Sequence, residues 1–189
     1  MATAGDVLRQ GDTDTLRFLR TSADTKGAYV DVDVSYGPMT DLRPPLHYHP
    51  YQDEHFRVLD GELSVVVDDR HHTLTAGDEL TVTRGQRHSM WNSGPTRVRF
   101  RWQTTPALRT EAMFETFWGL VEAGRAGRHG QPRPPLLQSL LLIWTYRNEW
   151  RPCAPPPAIA LPLSAVLAMP ARLLGHRTHY PPLNPGGTP

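Results

Sequence analysis

The chain has 189 residues, 39% of them hydrophobic, which is enough for one good core and an extension. A formal net charge of +1 provides no field to draw in nucleic acid, so no nucleic-acid partner is expected. The single cysteine, Cys153, excludes an intrachain disulfide and fits a cytoplasmic protein, as does an N-terminus without a charged-then-apolar leader pattern. Lys26 is the only lysine beside many arginines, a bias expected from GC-rich bacterial coding rather than from function.

Residues 1–12 read as a loosely held arm. Residues 13–19 alternate and predict a first strand. Residues 29–36 alternate more clearly, with Val30, Val32 and Val34 on one face and Asp31 and Asp33 on the other. The two aspartates are expected on a solvated strand face rather than as ligands. Gly37-Pro38 turns the chain, and residues 41–45 approach the next strand.

The stretch 45–61 carries the chemistry. His47 and His49 are two residues apart, so on a strand both imidazoles face one space, about 6 to 7 Å apart along the chain. Tyr48 then points away. Pro50 has no N–H to give a ladder and ends the strand. Glu54 follows the turn and can bring a carboxylate oxygen back to the same space. Residues 56–59 read as a strand, and Asp60-Gly61 as a tight hairpin turn.

Residues 62–67 and 71–75 predict two strands joined by a hairpin at Asp68-Asp69. His71 and His72 are adjacent, face opposite ways and are expected to be ordinary strand residues. Strands over 78–83 and 87–92 follow, joined through Arg84-Gly85-Gln86, and the second brings His88. Three histidines and a carboxylate make a mixed N/O site. It suits Fe(II), Mn(II), Ni(II), Cu(II) or Zn(II) and is too rich in nitrogen for Ca or Mg. Residues 95–104 form the last clear strand. Val98, Phe100 and Trp102 share its core face, and Arg97, Arg99 and Arg101 share a face expected to be solvated or to meet another subunit.

These stretches resemble the cupin superfamily. His47, His49, Glu54 and Gly61 match its first motif, HxH-x4-E-x6-G, with every spacing kept. Gly77, Gly85, His88 and Asn92 match its second, G-x5-P-x-G-x2-H-x3-N, with Thr83 where the family usually has proline. Gly37 lies further from the HxH than the glycine that usually opens the first motif. The resemblance covers roughly residues 15–105. It implies a mainly β, double-stranded β-helix or jelly-roll barrel, with His47, His49, Glu54 and His88 as metal ligands. It also implies a homodimer formed through edge strands. Gln52, Trp91 and Asn92 are candidates for orienting the ligands or shaping the pocket. Tyr36, Met39, Phe56, Met90 and Trp102 are further candidates to line it.

The barrel, with its N-terminal arm, is expected over 1–107, and a helical, proline-rich C-terminal extension over 108–189. Residues 109–122 predict a helix with Met113, Phe114, Phe117, Leu120 and Val121 at helical spacing, ended by Gly124 and Gly127. A Gly-, Arg- and Pro-rich link spans 123–135. Residues 136–150 predict a second helix, and 158–174 form a third apolar stretch interrupted by Pro162 and Pro170. The region packs on the barrel or a partner subunit, with contact of residues 136–174 with a membrane surface as the alternative. His176 and His179 in the polar, proline-rich tail are expected at the surface.

A divalent transition metal held by four protein ligands keeps positions open for a small-molecule substrate. A redox-active ion would support dioxygenation of an enol or phenol-like compound, with Glu54 as the catalytic base. Isomerase, lyase or cyclase chemistry comes next. The other readings are a non-catalytic ligand-binding or sensing cupin, and a cupin that holds its extension against a membrane or partner. No helix-turn-helix segment is visible.

Overall fold

Period-two alternation decides which side chains meet in this chain. A computed structural model describes residues 1–38, 45–123 and 134–181. The expectations for Met39, residues 41–44, Gly124, Gly127, the link over 124–133 and the tail beyond residue 181 lie outside the described residues. One antiparallel sheet has six strands: β1 (Val7–Gln10), β2 (Asp14–Arg20), β3 (Val30–Tyr36), β5 (Asp53–Asp60), β8 (Glu79–Val82) and β10 (Val98–Thr105). Their order is β1-β2-β3-β10-β5-β8. The second sheet has β4 (His47–Tyr48), β6 (Glu62–Val67), β7 (Arg70–Thr75), β9 (His88–Trp91) and β11 (Arg151–Pro152), ordered β11-β4-β9-β6-β7. Two antiparallel sheets around one core, with strands exchanging between sheets, give the jelly-roll arrangement.

The core lies between the sheets. Val30, Val32, Val34 and Tyr36 of β3 are buried beside Phe100 and Trp102 of β10 and Phe56 and Val58 of β5. Each fully buried apolar side chain of this size stabilises the fold by roughly 1.5–3 kcal/mol. Tyr36 meets Phe100 edge-on at 5.6 Å and Trp118 in a stacked pair at 6.4 Å. The N-terminal arm is tied down rather than loose. Residues 7–10 pair with β2, and Leu8 enters the core with 2% of its surface exposed.

The aspartates of β3 are not simply solvated. Asp33 is held by Arg99 at 2.7 Å, and the buried Asp31 by Arg101, both across the β3–β10 ladder. The outward arginines of β10 are thus occupied by carboxylates next door, while Arg97 donates to the carbonyl of Asp12.

Two turns show why local chemistry and strand pairing differ. Asp68 and Asp69 both take positive φ, 46° and 70°, and close the expected β6–β7 hairpin. Asp60-Gly61 does not make a hairpin. β5 pairs with β10 and β8, whereas β6 pairs with β7 and β9, so this turn carries the chain from one sheet to the other. Gly61 has φ +77° there, and a Cβ on it would lie 2.5 Å from the carbonyl oxygen of Arg97.

The C-terminal region shares the barrel's core. Helix α1 (Thr110–Glu122) buries Met113, Phe114, Trp118 and Leu120 against it, with the Phe114 ring 4.8 Å from Trp102. Helix α2 (Leu136–Thr145) is shorter than expected. Residues 146–150 form a turn instead, because Glu149 is engaged with groups elsewhere. The strand β11 then adds itself to β4. Helix α3 (Pro157–Leu173) runs unbroken through Pro162 and Pro170, against the expectation of an interruption. The carbonyls these prolines leave without a donor belong to Ala158 and Val166, both exposed, so water can satisfy them. His176 is half-buried against Gln138, and the more exposed His179 lies beside Thr116 and Glu115. Among the described residues no helix is long and apolar enough to cross a membrane.

Candidate metal centre

β4 and β9 are antiparallel neighbours, and His47 stands directly opposite His88. Their rings are 4.3 Å apart between centroids, and the His49 ring is 5.2 Å from each. Ring nitrogens of the three histidines lie within 4.8 Å of one another, the one such group among the described residues. The triad is positioned to hold a metal ion.

Glu54 reaches the same point from the other sheet. It sits on the inward face of β5 with Phe56 and Val58. Its Oε1 lies 3.1 Å from Nε2 of His49 and its Oε2 2.8 Å from Nε2 of His88. Trp102, diagonal to Glu54 on the adjacent strand, donates from Nε1 to Oε1 at 3.0 Å.

Backbone carbonyls set the imidazole tautomers. Nδ1 of His47 faces the carbonyl of Pro45 at 3.2 Å, Nδ1 of His88 that of Gln86 at 3.0 Å, and Nδ1 of His49 that of Glu149. A carbonyl only accepts, so each Nδ1 carries a proton, and each ring in its neutral form presents the Nε2 lone pair to the site. These lone pairs and the Glu54 carboxylate form a buried set of acceptors facing one another. Nε2 of His49, Nε2 of His88 and Oε2 of Glu54 have no hydrogen-bond partner of proper geometry. A cation held there would satisfy these atoms, and the N/O composition fits a divalent transition metal.

Desolvation, then the nearby His88 and His49, push His47 well below the ordinary imidazole value. Burial would lower His49, but Glu54 outweighs it and raises the ring, with a contribution from Gln52. Burial would raise Glu54; His49 and then His88 outweigh it and hold the carboxyl well below its ordinary range. Glu54 is thus a carboxylate, ready to bind a cation or accept a proton.

The three neighbouring candidates have different surroundings. Gln52 donates to the carbonyls of Pro106 and Ala107 and to Oγ1 of Thr110, tying the motif to the start of α1. Asn92 donates to the carbonyls of Tyr36 and Thr96 and accepts from Gly94, so its amide holds a turn, not a histidine. Trp91 is three residues from His88 on β9 and faces the opposite side of the sheet, where its ring meets His71 at 5.6 Å. It does not line the space between the histidines. Of the other pocket candidates, Trp102 touches Glu54, while Tyr36 and Phe56 pack in the core. Met90 shares the inward face of β9 with His88 and is buried opposite Val65.

The second motif supports the first directly. Gly85, at φ +84°, donates its N–H to the carbonyl of His49 at 2.9 Å. Thr83 stands where proline is usual and uses the N–H that proline lacks, donating to Oε1 of Gln86 at 2.8 Å.

Sequence reasoning missed the contribution of the extension. The carbonyl of Glu149 fixes His49, and the Trp150 ring lies 5.9 Å from that of His47. β11 pairs Pro152 with His47 and Arg151 with Tyr48, covering the edge of the ligand strand. Glu149 itself is buried and gripped by Arg109 at 2.9 and 3.0 Å. No local pattern marks these residues, because their partners lie in distant parts of the chain.

Residues 38–103 match the family model described as Cupin domain. The chain carries a cupin domain. Both motifs and the strands β4 to β9 lie within the matched residues, whereas β1, β2 and β3 precede them. An oxidoreductase of Arthrobotrys oligospora is 34% identical over 88 residues, covering 42% of this chain and 35% of that protein. The tetracenomycin polyketide synthase protein TcmJ of Streptomyces glaucescens is 38% identical over 60 residues, covering 32% of this chain and 40% of that protein. The chain thus spans well under half the length of these curated relatives. Among solved structures, an RmlC-like cupin from Shewanella frigidimarina is 21% identical with a TM-score of 0.46, covering 56% of this chain and 86% of that one.

Proposed function

We propose that this protein is a small-molecule metalloenzyme, with dioxygenation of an enol or phenol-like substrate as its reaction. The observation that carries the reading is the convergence of the half-buried His47 with the buried His49, His88 and Glu54, the Nδ1 protons of the histidines being directed to backbone carbonyls. The relative named as an oxidoreductase supports a redox reaction, and the one named as a polyketide synthase protein supports a polyketide-type substrate.

A bound divalent metal supplies Lewis acidity and, for Fe, Mn, Ni or Cu, redox chemistry toward dioxygen. The protein's part is positioning and proton transfer. His47, His49 and His88 would hold the ion. Glu54 completes the ligand set or takes the proton of the substrate O–H at Oε2, while Trp102 holds Oε1. Trp102, backed by Phe56 at 5.6 Å between ring centroids, keeps the Glu54 side of the site apolar.

Elemental mass spectrometry on tag-free protein purified without chelators tests the reading. About one transition metal per chain is expected, lost in His88→Ala, with oxygen uptake on a panel of polyphenols. Zinc in place of a redox metal would move the reaction to isomerase or lyase chemistry. Folded protein that binds no metal from Fe to Zn would overturn the enzyme reading in favour of a ligand-binding cupin.

A further inference from the structure

Helix α3 turns its bulky side chains away from its own protein. Its inner face, against α2, consists of Ala160, Ser164, Ala168 and Ala171, all buried. Its outer face carries Ile159, Leu163, Val166, Met169 and Leu173 at helical spacing, with exposures from 43% for Leu163 to 81% for Leu173. A helix recruited only to cap a barrel would place these side chains inward. A continuous aliphatic stripe left in water marks a contact surface.

Charge and area select the occupant. Between residues 150 and 189 the sequence has no aspartate or glutamate, while Arg151, Arg172 and Arg177 are present. Arg172 lies in the last turn of α3, and both it and Arg177 are exposed. The nearest acidic residue before them, Glu149, is buried and paired with Arg109. A 17-residue helix is only about 25 Å long. One stripe of that length falls short of the roughly 800 Å² per partner that a stable protein interface needs. A lipid surface needs no matching shape. The carbonyls freed by Pro162 and Pro170 require water and keep the helix at headgroup level rather than in hydrocarbon.

We propose that α3 is an interfacial anchor for an anionic bilayer. Ile159, Leu163, Val166, Met169 and Leu173 enter the acyl boundary, and Arg172 and Arg177 lie among the lipid phosphates. The cupin site is thereby held at a membrane surface, where apolar substrates collect.

The test is co-sedimentation of the full chain with vesicles. One set is phosphatidylcholine alone; the other contains phosphatidylglycerol as well. Binding to the anionic vesicles is expected to be at least about tenfold stronger and to weaken with salt. The double variant Val166→Asp, Met169→Asp changes only exposed side chains and is expected to abolish binding, with circular dichroism unchanged. Absence of the wild-type chain from both pellets, or equal binding to both vesicle types, would overturn the proposal. So would a dimer in analytical ultracentrifugation that the same double variant dissociates without any vesicle binding; the stripe would then be covered by a second copy.

Discussion

The carbonyl of Glu149 accepts a hydrogen bond from Nδ1 of His49, a residue 100 positions earlier in the chain. The contact makes the C-terminal region part of the candidate metal centre rather than an appendage. The Glu149 carboxylate is in turn held by Arg109, which also donates to the carbonyl of Thr145. Arg109 therefore steadies the carbonyl that orients the ligand.

Arg109→Ala is expected to weaken metal binding about tenfold, the lower end of the usual effect of losing a group that orients a ligand. Leaving the Glu149 carboxylate buried without its partner should also destabilise the protein by about 1–3 kcal/mol. Metal titration by calorimetry and thermal unfolding separate the two effects. A lower melting temperature with unchanged metal affinity would show that Arg109 only supports the fold.

Asp53 grips Arg84 through a 2.8 Å contact and accepts the Arg84 backbone N–H, fixing the turn whose Gly85 reaches His49. The Arg84 hydrogen bond holds the Asp53 carboxyl below its ordinary value of 3.8. A depressed folded value means that the stabilisation is complete above the unfolded pKa and disappears as pH falls through the folded one. Asp53→Asn is expected to cost about 1 kcal/mol or less at pH 7, since both groups are partly solvated. The gap to the wild type should close as the pH drops below about 4. Urea denaturation at both pH values measures it, and a gap that persists in acid would exclude the ion pair as its source.

Gly61 combines positive φ with a close approach to the carbonyl of Arg97. Gly61→Ala adds backbone strain and a clash against backbone that cannot step aside, so a loss of at least about 2 kcal/mol is expected. Chemical denaturation checks this. A wild-type midpoint would mean that the passage between the sheets can rearrange.

The lesson for reading such a chain lies in the reach of each signal. Alternation placed Val30, Val32 and Val34 inward, the positive-φ pair Asp68-Asp69 closed the expected hairpin, and the motif spacing brought His47, His49 and His88 together, with Glu54 beside His49 and His88. Each depends on a strand period or turn geometry spanning a few residues, or on motif spacing that such turns preserve. The turn at Asp60-Gly61 looked identical in kind, yet joins two sheets, because pairing partners are chosen by the whole topology. Helix α3 persists through two prolines because the freed carbonyls belong to the exposed Ala158 and Val166, and exposure is not written in the local sequence.

By itself, then, the sequence determined the antiparallel strands and their inward faces through local periodicity, and its resemblance to the cupin motifs pointed to the jelly roll and the ligand candidates. Only the tertiary structure decided that Glu149 sets the tautomer of His49, that Trp102 holds Glu54, that Asn92 serves a turn, and that α3 presents its aliphatic side outward. Hydrogen bonds and burial join residues far apart in the chain, and no spacing rule encodes such partners before the sheets and helices have packed.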